Sequence, residues 1–385
     1  MSARLFVVLT LAAPVAFANE AFFTSEVVDA VAVKQAPSGT EDVAWAAVKA
    51  KAFSLAPQRT IRLHDKQANA ALSVPGIGEV QVKAAFAGAE LTVLLEWSDS
   101  TLDAVRDDEV NTYADAAAVQ VPLTFGKGVR LPAISMGDEE QPVRIVLQRA
   151  TKTGALVSTL EAAGFGSSTR QAPAAAARQG SMTYDAKAQR WRAMFQLPVD
   201  AASALVPVAF ALWEGGARLE RAGNKRLSSW RFVRVPGRTP DPEYVKAMSW
   251  GFSPGELGDP LKGKLLAEAV CAACHHMPGR TIAAEGLAPN LIDVGAVATP
   301  GYLRESIINP NAVVLYGPNP NQHYDKSQPR DANGAYPNAE ALRWFTRAAD
   351  GKRLSKMPAF SGFSAEQIAD LVAFLRSLDG KGPPP

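Results

Sequence analysis

Both cysteines of the chain lie in CAACHH, Cys271 to His276, with two residues between them and His275 directly after the second. A Cys-x-x-Cys-His run is the attachment signal for c-type haem. Each thiol adds across one haem vinyl group, and the neighbouring imidazole becomes the proximal iron ligand. The chain has no other cysteine that would make these residues a disulfide, zinc or iron–sulfur site. The expected chemistry is therefore covalent haem on Cys271 and Cys274, with His275 on the iron.

Such a group needs elements to hold it. Gly263 to Val270 reads as a helix leading into the motif, with Leu266 and Val270 on one face. At the far end of the chain, Ser364 and Gln367 form a capping-box pattern. Ile368, Leu371, Val372, Leu375 and Leu378 then make the apolar stripe of a last helix. Between them lie LAPNL (Leu287–Leu291) and the Met-Pro pair of KMPAF, Met357 and Pro358.

Taken in this order, these features resemble class I cytochromes c. The resemblance implies that Gly263 lets the first and last helices cross closely, with Phe374 packed at the crossing. It implies that the Pro289 carbonyl accepts the second N–H of His275, as outer partners of a ligating histidine do. Met357 takes the sixth iron position. Met277 also precedes a proline, but it is too near His275 in sequence to reach across the ring. His276 is expected to be exposed, and His323 falls in a polar insertion, Tyr316 to Asn338. His/Met ligation leaves no open iron position and raises the potential. Such a site carries electrons.

At 385 residues the chain has room for two domains. A net charge of +2 gives no basic field of the kind a nucleic-acid binder needs. No stretch after the N-terminus approaches the roughly 18 uninterrupted apolar residues of a membrane span. Residues 1–18 read as a cleaved secretory signal, with Arg4, an apolar run from Leu5 to Val15, and Ala16-Phe17-Ala18 before Asn19. Export to the periplasm agrees with haem attachment outside the cytoplasm.

Residues 19–240 show alternation in place of helical periodicity. Leu91, Val93, Leu95 and Trp97 share one face, as do Val143, Ile145 and Leu147. Trp191, Ala193, Phe195 and Leu197 repeat the pattern, followed by Val206, Val208, Phe210 and Leu212, and a last strand runs from about Trp230 to Val235. A short helix is expected around Asp42 to Ala50. The reading is an all-β sandwich, a linker over 241–260 rich in Pro, Gly and Asp, and an all-α cytochrome c domain over 261–385.

Four stretches of the first half come in a specific order: Ser38–Gln58, Leu94–Asp103, Ile134–Gln148 and Val208–Trp230. Together they resemble the haem-b-binding γ subunits of ethylbenzene dehydrogenase, dimethylsulfide dehydrogenase, selenate reductase and chlorate reductase. The resemblance implies a noncovalent haem b with methionine and lysine axial ligands. Met136, in Met-Gly-Asp, matches the methionine, and Lys225, in the turn after Trp-Glu-Gly-Gly, matches the lysine. A thioether favours ferrous iron, and an amine ligates only once its proton is displaced from a reference pKa near 10.4. His64, Met182 and Met194 are the alternative ligands.

The resemblance also implies partners, namely a molybdopterin catalytic subunit and an iron–sulfur subunit, with a soluble cytochrome or terminal oxidase at the outer end. The chain is then an electron-transfer subunit with no catalytic residues of its own. The alternative is a cytochrome c fused to a haem-free sandwich that serves an exported dehydrogenase or sensor as a binding module. Related sandwiches bind sugars on exposed aromatic platforms, whereas Trp45, Trp97, Trp191, Trp213 and Trp230 mostly fall in patterns that look buried.

Overall fold

The alternating runs become strands because each has an apolar face to bury. In chain order they are β1 (Val27–Asp29), β2 (Val31–Ala32), β3 (Lys51–Ser54), β4 (Ala56–Pro57), β5 (Glu79–Ala87), β6 (Glu90–Ser98), β7 (Ala116–Pro122), β8 (Val143–Thr151), β9 (Gly154–Ala162), β10 (Thr169–Arg170), β11 (Ser181–Asp185), β12 (Arg190–Pro198), β13 (Leu205–Trp213), β14 (Lys225–Leu227) and β15 (Arg231–Arg234). One sheet runs β1-β15-β13-β7-β8-β9-β10, with β14 joining β13 to β4. The other runs β11-β12-β6-β5-β2, with β3 beside β5. The computed structural model describes residues 19–58, 76–105, 113–164, 167–171, 181–200, 202–215, 225–279, 288–315 and 344–379. The leader 1–18, His64, and the Tyr316–Asn338 insertion with His323 lie outside the described residues.

The two sheets pack face to face. Val93, Leu95 and Trp97 of β6, with Trp191 and Phe195 of β12, meet Val119 of β7 and Val208, Phe210 and Leu212 of β13 in one core. Strand β13 is apolar on both faces, so Ala209 and Ala211 look the other way. Val143, Ile145 and Leu147 of β8 share that outer face, where Ile145 and Leu147 pack with Ala118, Ala211 and Leu227. The outer face of the larger sheet is thus apolar too, and something must cover it.

Met182 and Met194, each 2% exposed, fill apolar cores of the sandwich. Trp45, Trp97, Trp191 and Trp230 are buried, and Trp213 is half-buried. The helix expected near Asp42 is a single 3-10 turn, Val43–Ala47, capped by the Asp42 carboxylate, which accepts from the Ala44 N–H. It stops there because Lys51 already pairs in β3.

Helix α1 (Glu20–Glu26) opens the described chain, and α2 (Pro242–Met248) lies inside the expected linker. Asp241 caps α2 by accepting from the N–H groups of Glu243 and Tyr244, with Pro242 in its first turn. Tyr244 and Val245 are buried against Phe22 of α1 and Phe232 of β15. A few residues on, Trp250 and Leu257 pack into the core of the C-terminal third. The segment between the domains is a strap seated on both.

The C-terminal third contains α3 (Pro260–Val270), α4 (Val294–Val297), α5 (Pro300–Ile308), a hairpin of β16 (Phe345–Arg347) and β17 (Arg353–Ser355), and α6 (Ala365–Ser377). Ser364 and Gln367 close the capping box that starts α6. Its buried face carries Ile368, Leu371, Val372 and Leu375. Helix α3 turns Gly263 and Ala267 inward and leaves Leu266 and Val270 half-buried, because small residues set the crossing with α6. A Cβ on Gly263 would lie 1.9 Å from the Asp370 carbonyl oxygen and 2.9 Å from the Cβ of Phe374. Gly263→Val therefore destabilises this domain by more than the roughly 1–3 kcal/mol of ordinary overpacking, because backbone must move. Urea unfolding followed at the Soret band reads this directly. Among the described residues no helix is long and apolar enough to cross a membrane.

Candidate functional site

Helix α3 runs straight into the cysteine motif. Its last turn tightens into a 3-10 turn over Cys271–Ala273, and the His275 N–H donates to the Cys271 carbonyl at 3.0 Å. This turn holds Cys271, Cys274 and His275 on one short, fixed piece of backbone. Both cysteines are half-buried. Burial, with Cys274 alongside, pushes the Cys271 thiol up to about 11.

His275 is buried, and its Nδ1 donates to the Pro289 carbonyl at 2.7 Å. Burial lowers the imidazole pKa, with the Pro289 bond acting against it. A neutral ring that donates from Nδ1 keeps its lone pair on Nε2, which is the atom a metal can take. Cys271, Cys274, His275 and Pro289 are thus brought together. His276 is half-buried and not exposed as expected, because its carbonyl accepts from Leu291 N–H at 3.0 Å and closes the loop that carries Pro289. Met277 is buried in the domain core.

Met357 sits on the loop between β17 and α6 and is half-buried. Its N–H donates to the Ser355 hydroxyl at 3.1 Å. The loop is pinned by Phe360 N–H to the Ile307 carbonyl at 3.0 Å and by the Phe360–Phe363 stack, with ring centroids 5.1 Å apart.

A second candidate site lies on the outer face of the larger sheet. A narrow, solvent-open cleft is lined there by residues that include Met136, Lys225, Gln58, Gln120 and Trp213. Ala118 of β7 and Ala209 and Ala211 of β13 floor it, and these small side chains leave the space open. Met136 and Lys225, distant in sequence, face the same cavity.

Lys225 opens β14, paired with Trp213 of β13, and is not in the turn expected from the sequence. Alternation along β14 sends Lys225 and Leu227 into the cleft. Arg226 goes the other way, and its guanidinium lies where a Cβ on Gly76 would stand, 2.8 Å off. The Lys225 ammonium sits 4.8 Å from the centre of the Trp213 ring. Burial alone pushes its pKa down to about 8, so a neutral amine is accessible near neutral pH. The Gln58 Oε1 is buried without a hydrogen-bond partner and also lines the cleft.

Met136 adopts φ +69°, a conformation costly for a side chain with a Cβ. Gly137 follows at φ +73°, where a Cβ would lie 2.8 Å from the Gln141 carbonyl. Asp138 holds this strained loop. Its carboxylate, 5% exposed, accepts from Arg130 at 2.9 Å and from the Ala133 N–H at 3.0 Å. Strain of this kind persists where surrounding structure over-determines it, and it clusters at ligand sites. Asp138 is a positioning residue that the sequence did not single out. The Met-Gly-Asp triplet was its only signal.

Residues 261–379 match the family model described as cytochrome c. The C-terminal third is a cytochrome c domain, and covalent haem c is the cofactor of that family. No curated protein matches the chain. Two solved structures similar to it are of a carbohydrate binding module family 9 from Caldicellulosiruptor kristjanssonii, one in complex with glucose and one with cellotriose. Each is 12% identical at a TM-score of 0.33 over 56% of this chain, covering 98% and 95% of the respective module.

Proposed function

We propose that the chain is an exported, periplasmic electron-transfer subunit with two haem sites. Cys271 and Cys274 would hold haem c, with His275 and Met357 offering its iron an imidazole and a thioether. Met136 and Lys225 would hold haem b at the sandwich cleft. The observation that carries this reading is the convergence of Met136 and Lys225 on one cavity. Both residues were singled out by a family pattern alone. The fit is chemical as well: a soft thioether on a strained loop, an amine partly relieved of its proton, an alanine floor and an orphaned acceptor at Gln58.

Bound at these sites, the two groups supply one-electron exchange between ferric and ferrous iron. The chain's own residues do the rest. Pro289 orients the His275 ring, and Asp138 with Arg130 fixes the Met136 loop. The apolar surroundings of Lys225 keep its amine available. By resemblance, the inner partner is an iron–sulfur subunit beside a molybdopterin catalytic subunit, and the outer partner is a soluble cytochrome or oxidase. Purified under native conditions from its own periplasm, the tagged chain carries molybdenum and iron–sulfur centres with it. Haem alone, at every salt concentration tried, would remove the molybdoenzyme partner.

The lysine gives the cleft a pH signature. Below about 8 the amine holds a proton that ligation must displace. Haem uptake by the sandwich therefore strengthens about tenfold per unit from pH 6 to about 8 and levels off above. Haemin titration of the cofactor-free protein across this range measures the slope. Uptake that is flat with pH speaks against the lysine.

A further inference from the structure

The cytochrome domain does not hang free of the cleft. Val297 of α4, with Ala296 beside it, packs on Ala56, Ala118, Ala211 and Leu227, in a cluster that includes Trp213 and Ile145. These sandwich residues line or adjoin the Met136/Lys225 cavity. A second contact joins the two methionine loops. Glu139, three residues after Met136, pairs with Arg353, four residues before Met357. The Arg353 side chain is 7% exposed and that of Glu139 74%. Arg130 and Asp138 of the Met136 loop also act electrostatically on Glu305 of α5, whose carboxyl burial raises. The strap adds a third fastening: Tyr244 and Val245 are sunk in the sandwich side, and Trp250 and Leu257 in the cytochrome side.

We propose that Glu139 and Arg353 are positioning residues that seat the cytochrome domain on the sandwich beside the Met136/Lys225 cleft, so that the two centres exchange electrons at one fixed separation. This rests on the two-haem reading above. The physical reason to single out this pair is burial. A guanidinium so far out of water is held by the groups around it, and Glu139 contributes one of them from the sandwich. The geometry is economical: one ion pair links the loop holding the haem-b methionine to the hairpin that leads into the haem-c methionine. No domain excursion is then required between the centres.

Glu139→Lys tests it in the full chain, since Glu139 is the exposed partner and its replacement spares both cores. Two readouts are used. Limited proteolysis within residues 236–260 reports undocking, because the strap is protected only while seated on both sides. Flash reduction of haem c, followed at the haem-b band, reports transfer between the centres. Glu139→Lys is cut, and slows transfer, by at least about tenfold, the factor that matches about 1.4 kcal/mol of lost docking. Glu139→Asp recovers most of both, and Glu79→Lys, the same charge change elsewhere on the sandwich, alters neither. Wild-type cleavage and transfer rates in Glu139→Lys would overturn the proposal. A wild-type protein holding haem c but no haem b would instead refute the two-haem reading, and the proteolysis readout would still decide the docking.

Discussion

Lys225→Ala leaves the purified protein with haem c and without haem b. The amine and the Met136 thioether line a cleft whose other residues are alanine, isoleucine, leucine, phenylalanine, tryptophan, serine and glutamine. Apolar contact is available there, but nothing else in the cleft offers a nitrogen so readily freed of its proton. The loss exceeds the roughly 10–100-fold that follows removal of mere outer support around a metal. Met136→Ala has the same consequence from the other side. Lys225→Arg does not rescue, because a guanidinium stays protonated. The checks are haem-b content per chain and the haem-b absorption bands. Either variant with full haem b and an unchanged spectrum contradicts the assignment.

Met357→Ala keeps covalent haem but opens the iron. Thioether attachment at Cys271 and Cys274 would not depend on a sixth ligand, and His275 is oriented by the Pro289 carbonyl at 2.7 Å. The reduced variant binds carbon monoxide within seconds, whereas the native protein resists it. Its midpoint potential falls on the order of 0.1–0.2 V, a fraction of the roughly 0.8 V that axial ligation spans. Rapid carbon monoxide binding by the native protein would show an open position and favour an enzyme over a carrier.

The two fold classes were legible because their signals are local. Alternation at Leu91–Trp97 and Trp191–Leu197 needs no knowledge of partners, and these residues lie in the sandwich core. The capping box at Ser364 and Gln367 and the stripe behind it are equally self-contained. Gly263 was legible only with its distant neighbour Phe374 in view, since the 1.9 Å approach it permits is to the backbone of another helix.

The sandwich cleft was not legible in this sense. It is assembled from β4, β7, β8, β13, β14 and the Met136 loop, and its floor is alanine, which carries no functional signal. Val143, Ile145 and Leu147 show why periodicity fell short. The pattern gives a shared face but not which side it looks to, and this one looks to the cleft side of the sheet. The strap misled for a different reason. Its Pro, Gly and Asp are helix-starting and turn residues, so Asp241-Pro242 reads as loop until Tyr244 and Val245 are seen buried.

A pyridine haemochrome spectrum of the purified full chain, set against its protein concentration, is the most direct test of the two-haem reading. One c-type and one b-type haem per chain is the predicted result, the b-type haem being extractable with acidified organic solvent and the c-type not. One c-type haem with no b-type haem, after growth and purification with haem in excess, would contradict it. The sandwich would then be a haem-free binding module carried by a cytochrome.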